Sequence, residues 1–445
     1  MAVQKTEAEV QLARQFATAL EELPGGDQVA ALRRDAIALF EREGLPHRRI
    51  EAWKYTDLRA ALREVFPPAK LVDRVDRDRL AAAVGAELMA LPAVRVVVVN
   101  GHVCDVEIPH ELAAAGFALH RLASHLDEPG HEWMKPLLAF DGEPEQNGVL
   151  RLNTAMVTDG VVLRVEAGTN LALPIHVVVA TQADRSTAST VRNLIKVDDG
   201  AVATLIESYV ALSETPHQVN AVTQLDVGDG ATVHHIKTLS ASVGSVHAGA
   251  WLTRIGAKGV YRGFQLTAGA GIARNESRIT FTGPDARLDL SGLMLGRGND
   301  HIDTTLVVNH TTTACESREL FKAVLDDRAR AVFQGKVIVA AEAQKTDGKQ
   351  MAQALMLSPD TEFDSKPELE IYADDVACGH GSTAAEIDSD MLFYLRARGI
   401  PLEEARRLLI ESFATEALEK IEDDAVRGAV RELAVGWLGR ADRRT

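Results

Sequence analysis

Cys378-Gly379-His380 is the triplet in this sequence whose residue types and spacing carry the most chemistry. On a β-strand, residues i and i+2 point to the same face, so the thiol and the imidazole would stand side by side. Such a pair can hold iron, zinc or a sulfur species, and a protonated imidazole nearby would lower the thiol pKa. Two donors are too few for a closed metal site, so the remainder must come from elsewhere in the chain or from another chain. A lone cysteine is also commonly a small buried hydrophobe, and that plainer reading stands beside the metal or sulfur one.

The other titratable groups point less sharply. His234 and His235 fall in a strand-like stretch and would face opposite sides, so they make no common site. His301 and His310, with Cys315 following, read as solvated or core histidines. His47-Arg48-Arg49 with Trp53, Lys54 and Tyr55 resembles a basic-aromatic nucleic-acid patch. Glu51, Asp57 and the overall acidity favour a structural helix surface instead. Arg440 to Arg444 reads as a solvated tail. Gly335-Lys336 and Gly348-Lys349 are followed by Val and Gln, so there is no P-loop, and this chain is expected to bind no nucleotide. Gly269-Ala270-Gly271 has Arg274 where a dinucleotide fingerprint needs its third glycine. Cys-x-x-Cys pairs, His-Glu-x-x-His and Gly-x-Ser-x-Gly are all missing from the sequence. No spacing supplies a complete catalytic constellation, and a non-enzymatic protein is expected.

Composition sets the frame for these residues. Of 445 residues, 48 are Lys or Arg and 64 are Asp or Glu, for a net charge of −16, with 46% apolar and 25% charged. This is the balance of a soluble globular protein with a large core. It disfavours a chain whose main task is gripping nucleic acid or an anionic membrane. The start, Met1 to Glu7, has no apolar run behind a basic end, and no stretch approaches a membrane span; Ala93 to Val99 is short and contains Arg95. The three cysteines, Cys104, Cys315 and Cys378, are widely spaced and form no disulfide framework. A reducing, cytoplasmic setting is expected.

The elements that must position Cys378 and His380 change character along the chain. Glu7 to Leu23 and Gln28 to Glu43 carry helical periodicity, broken by Pro24-Gly25-Gly26, with Gly44 ending the second helix. After Pro67-Pro68 comes another helical stretch, Asp76 to Met89, and then a short apolar strand, Val94 to Asn100. Asp141 to Gly148 reads as an exposed connection. From about 149 to 377, Val, Thr and Ile dominate and Gly or Asp turns recur. The apolar residue before each turn is Val165, Val197, Val227, Ile255, Phe281 and Leu325, in steps of 32, 30, 28, 26 and 44 residues. The last step reads as two turns of about 22. Self-similarity at this period without helices between strands favours a stacked β-solenoid, with a β-sandwich as the competing reading. Helices return at Asp388 to Arg398, Leu402 to about Ile421 and Ala425 to Leu438. In the second of these, Leu402, Ala405, Leu408, Leu409, Phe413 and Ala417 are expected on one apolar stripe. The expected architecture is a helical domain with a short strand region (1–148), a β-solenoid (149–384) and a C-terminal helical domain (385–445).

Two sets of residues add a resemblance. Gly44-Leu45-Pro46-His47-Arg48-Arg49-Ile50-Glu51-Ala52-Trp53-Lys54-Tyr55-Thr56-Asp57-Leu58 resembles the N-terminal signature of the SufB/SufD family, on its SufD side. These are scaffold subunits of the SUF iron–sulfur cluster assembly machinery. A longer run follows the family's order: Phe333-Gln334-Gly335-Lys336-Val337, Gln344-Lys345-Thr346-Asp347-Gly348, Lys366 to Ile371, Asp374-Asp375-Val376, Cys378-Gly379-His380-Gly381 and Phe393 to Ile400. With the domain layout, the resemblance covers essentially the whole chain. SufB-like chains carry Glu-His-Glu where this one has Cys378-Gly379-His380, and a cysteine within the stretch matching Gln353 to Leu357, which has none here. Both differences favour the SufD side, and the second implies that no persulfide sulfur is accepted at that position.

The resemblance implies a right-handed parallel β-helix flanked by helical domains. It further implies a complex with SufB through the β-helix, and with two copies of the ATPase SufC through the region of about 385–440. Cys378 and His380 match positions near the SufB junction. His380 would then be a ligand of iron or of a transient iron–sulfur cluster shared with SufB, and Cys378 a neighbouring thiol. A SufB-like paralogue is the nearest alternative. A β-helix enzyme acting on polysaccharide, which would need convergent carboxylates, is a remote one. A homodimeric binding module whose C-terminal stripe self-associates is a third.

Overall fold

The computed structural model describes residues 5–72, 74–110, 116–126 and 147–439. A mainly β chain winds into a solenoid of about eight turns with helices at both ends. Successive strands alternate between two sheets, one of ten strands and one of nine, so each turn gives one rung to each sheet. The strands alternate in burial, as His217–Val227 does, because odd positions point into the lumen and even ones out. The lumen is a single apolar core running from Val94 to Ala373.

The turn grammar maps onto the nine-stranded sheet with one correction. Val165, Val197, Val227, Ile255 and Phe281 are register partners on consecutive rungs, as their spacing predicts. The column then continues through His310, Val339 and Ile371, not Leu325. Leu325 ends a rung of the opposite sheet, beside Gly296 and Met356. The step of 44 residues is therefore not two short turns. It counts across two sheets whose turns end in similar text, with His310 disguising the true repeat.

The two ends of the solenoid differ. At the N-terminal end, His102–Glu107 pairs antiparallel with Val94–Val99, and Phe117–Arg121 with Val161–Val165, closing both sheets. Val94–Val99 itself lies parallel to Ile175–Thr181, so the ten-stranded sheet draws a rung from before residue 149. At the other end, Ala377–Ala385 and Glu362–Ile371 are the outermost rungs and contain no buried residue. Among the described residues nothing pairs with their free edges.

The helices follow the expected punctuation. Glu7–Ala19 starts with a capping box from Thr6 and Glu9. The stretch expected as one helix over Asp76 to Met89 is two, Arg77–Val84 and Ala86–Ala90, split at Gly85, whose φ of 101° a side chain rarely adopts. At the C-terminus, Ser389–Arg396, Leu402–Leu418 and Asp424–Leu438 are helical, and Gly399 (φ 85°) separates the first two. The single apolar stripe expected on Leu402–Leu418 is divided. The face laid on the ten-stranded sheet is Ala405, Ile410, Ala414, Ala417 and Leu418, whereas Leu402 and Leu408 are exposed. Lys322, buried on that sheet, pairs with Glu416 and lies 4.1 Å over the Phe413 ring, which fixes the helix's rotation. Of the expected connection over 141–148, only Asn147 and Gly148 are described, and both are buried; the Arg440 to Arg444 tail lies outside the described residues.

The basic-aromatic N-terminal motif forms turns and one 3-10 turn, Glu51–Trp53, in place of a helix. It fastens the N-terminal region across four successive rungs of the nine-stranded sheet. Arg274 stacks 3.8 Å over Trp53 and donates to the Ala52 carbonyl, which also accepts from Gln334. Thr56 bonds Asp303 and sits 2.8 Å from His301, and Glu51 pairs with Lys366. A second anchor is Arg33, buried, which donates to the carbonyls of Pro24, Ala155 and Val157 at 2.8–2.9 Å. Arg33→Met fills the volume but orphans these buried carbonyls. It is expected to cost about 3 kcal/mol, read as a lowered midpoint in urea unfolding followed by circular dichroism. An unchanged midpoint would show that the anchor contributes nothing.

Candidate functional site

Cys378 and His380 lie on the last rung, Ala377–Ala385, exactly two residues apart on one side of the strand. Register fixes what lies beneath them. Cys378 stacks on Gly348 and Ser317, and His380 stacks on Gln350 and Glu319. These are inward-facing columns, so the thiol and imidazole continue the lumen wall at its uncovered end. Gly348 leaves the thiol room: a Cβ there would lie 3.6 Å from the Cys378 sulfur and 3.4 Å from the Ser317 hydroxyl. The Cys378 side packs against the end of the lumen core, while His380 is exposed.

The pair opens into a groove of about 810 Å³ whose wall also includes Glu319, Gln350, Met351 and Lys420. Burial raises the Cys378 thiol above its ordinary value; the Gly348 backbone N–H opposes this, and the Asp347 and Glu319 carboxyls reinforce it. In the isolated chain, then, the thiol is held protonated at neutral pH, and it becomes a good ligand or nucleophile only when a metal ion or a partner's charge displaces the proton. Among the described residues, no group of three or more His, Cys, Asp or Glu side chains is gathered to hold a metal ion. The thiol and the imidazole thus stand together at the mouth of the groove, with its outer side open.

The remaining sequence candidates are placed elsewhere. His235 points inward and is buried, stacked 3.8 Å on Trp251, while His234 points out beside Glu422, as adjacent strand residues must. His310 is buried within 3.1 Å of the Ser317 hydroxyl, and Cys315 is buried. These are structural groups. Two residues of the groove were not singled out from sequence. Glu319 and Gln350 are each 3% exposed; the Gln350 amide atoms have no hydrogen-bond partner among the described residues, and the Glu319 carboxylate has only the Ser317 hydroxyl beside it. Burial lifts the Glu319 carboxyl to about 8, against smaller opposing contributions from Ser317 and Arg318. The available signal was a polar residue at an inward position of a period-2 strand. It becomes visible only once the register is known.

Residues 178–413 match the model of the SUF system FeS cluster assembly, SufBD core domain, and residues 7–177 match the SufBD protein N-terminal region. The chain belongs to the SufBD family. An iron-sulfur cluster assembly SufBD family protein of Synechocystis sp. is 31% identical over 429 residues, covering 89% of this chain and 90% of that protein. The iron-sulfur cluster assembly protein SufD of Escherichia coli is 29% identical over 393 residues, 87% of this chain and 88% of that protein. That of Bacillus subtilis is 27% identical over 293 residues, 64% of this chain and 65% of that protein. SufBD membership fits the two stretches of signature text. The structure shows that the N-terminal one is bonded to the rungs that precede Cys378 and His380. No helix among the described residues is long and apolar enough to cross a membrane.

Proposed function

We propose that this SUF-system protein is a SufD-type, non-enzymatic scaffold subunit that works in a complex with SufB and the ATPase SufC. A nascent iron–sulfur cluster would be built at its junction with SufB, with iron supplied partly through this chain. The observation that carries the reading is the end of the solenoid that no described residue caps. A thiol and an imidazole share a groove on an edge rung, and edge rungs present free N–H and C=O groups to another chain. Ile371 and Tyr372 are exposed at the same end and supply apolar surface for that junction.

SufB would cover this end, complete the donor set and bury the thiol–imidazole pair. His380 would ligate iron or the cluster, with Cys378 deprotonating as metal arrives. SufC would dock on the C-terminal helices, and its nucleotide-driven movement would open and close the junction. Hydrolysis belongs to SufC in this scheme, since the chain has no P-loop.

The test is co-purification of the tagged chain with SufB and SufC, wild type against His380→Ala, with bound iron and acid-labile sulfide measured per complex. The expected result is an intact complex with cluster content reduced about tenfold. An intact mutant complex carrying the wild-type amount of cluster would place the ligands wholly on SufB and leave this chain as a structural arm.

A further inference from the structure

We infer that Glu319 and Gln350 form an inner receiving site for a divalent metal ion, one and two rungs below His380 inside the mouth of the solenoid. This deepens the reading of Cys378 and His380 as an iron-handling pair and rests on it. Glu319, Gln350 and His380 are register partners in one inward column, and all three line the same groove. Elsewhere in the solenoid Thr253, Gln265 and His310 each leave one buried side-chain atom unpaired, whereas Glu319 and Gln350 leave two each. Both amide heteroatoms of Gln350 are buried without a partner among the described residues, and both carboxylate oxygens of Glu319 are buried with only the Ser317 hydroxyl, itself 3.1 Å from His310, to bond. Leaving such groups unpaired is costly, and the same lumen satisfies Glu207 with four donors.

The arrangement suits a cation better than any other ligand. A carboxylate and an amide carbonyl are hard oxygen donors of the kind that Mn²⁺, Mg²⁺ and Fe²⁺ accept. Positive groups near the groove are already engaged: Arg318 pairs with Asp347 at 2.6 Å, and Lys349 lies 3.9 Å from the same carboxylate. Asp289 is a further anionic group on the wall, and Lys420 is a further cation at the rim. Glu319 is buried in the groove wall with no ion pair among the described residues, and an arriving dication supplies the counter-charge of its carboxylate, whose proton leaves to solvent. Gly335 on the facing sheet makes room for Gln350, since any Cβ there would collide with its amide. Oxygen donors inside and sulfur and nitrogen donors at the mouth give an ion two successive environments, harder first or softer first according to the direction of travel.

The full chain, purified without SufB and SufC, would be titrated with Mn²⁺ while the free-ion EPR signal is followed, for wild type, Glu319→Gln, Gln350→Met and Cys378→Ser/His380→Ala. Wild type is expected to take up one Mn²⁺ per chain. Glu319→Gln is expected to weaken binding at least tenfold, Gln350→Met about threefold, and the double variant at the mouth by less than Glu319→Gln does. Glu319→Gln is isosteric and removes only a buried unpaired acid, so its unfolding midpoint should not fall; circular dichroism confirms the fold. Equal Mn²⁺ affinity in wild type and folded Glu319→Gln overturns the inner site. So does a loss confined to the mouth variant. Failure of the parent reading shows separately, as normal cluster content in the His380→Ala complex.

Discussion

Replacing Phe393 with Asp is expected to release SufC from the purified complex while leaving this chain folded and bound to SufB. The helix Ser389–Arg396 contains no buried residue, yet it presents Met391, Phe393 and Tyr394 at 55%, 74% and 53% exposure. Solvent-facing aromatics clustered on one short helix are the usual composition of an interface anchor, and Leu402 and Leu408 extend the apolar surface along the next helix. A central aromatic anchor replaced by a charge costs about 3 kcal/mol of binding, or about a hundredfold in Kd. The fold should tolerate the change, because no part of the core closes over Phe393. The measurement is the SufC-to-chain ratio after affinity purification, followed by calorimetric titration of SufC. Unchanged retention would move the docking surface elsewhere. If the surface served self-association instead, the isolated wild-type chain would sediment as a dimer and Phe393→Asp as a monomer.

Glu207→Ala is expected to be the most destabilising single change in the lumen, at about 3–5 kcal/mol. Glu207 is fully buried and accepts from Tyr209 at 2.9 Å, Thr223 at 2.5 Å and Trp251 at 3.3 Å, with His235 at 3.2 Å. Truncation leaves these donors unsatisfied and removes the negative charge that helps to hold the Lys237 ammonium inside the protein, where burial has already lowered it to about 8. Burial alone would raise the Glu207 carboxyl. His235, Thr223 and Lys237 outweigh it and hold the group at about 2. A depressed carboxyl stabilises the fold above its unfolded value of about 4.5 and loses that contribution as pH falls toward 2. The wild type should therefore lose stability over this window more steeply than Glu207→Gln, in chemical unfolding at pH 6, 4 and 3. Parallel pH curves for the two would sink the assignment.

Much of the architecture was legible because its determinants are local. A period-2 alternation with Gly and Asp turns defines rungs, and the absence of intervening helices makes them stack. Gly44, Gly85 and Gly399 occupy backbone conformations that mark helix boundaries. The error at Leu325 was equally physical. Both sheets end their rungs on an apolar residue before an Asp or Gly, so text alone does not reveal which sheet a rung joins. The helix Leu402–Leu418 shows the same limit: its apolar letters are spread widely enough that two different faces are plausible, and Lys322 with Glu416 settles the choice.

The sequence by itself determined that Cys378 and His380 share a face, that two donors leave a site open, and that the chain carries no nucleotide motif. Each follows from spacing along one strand. Only the tertiary structure decided that this strand is an edge that no described strand pairs, that Trp53 is held beneath Arg274, and that Glu319 and Gln350 stack under His380. Those facts depend on register between rungs about thirty residues apart. A slip of one residue would send every inward side chain to the outer face, and no local pattern specifies which rung lies on which.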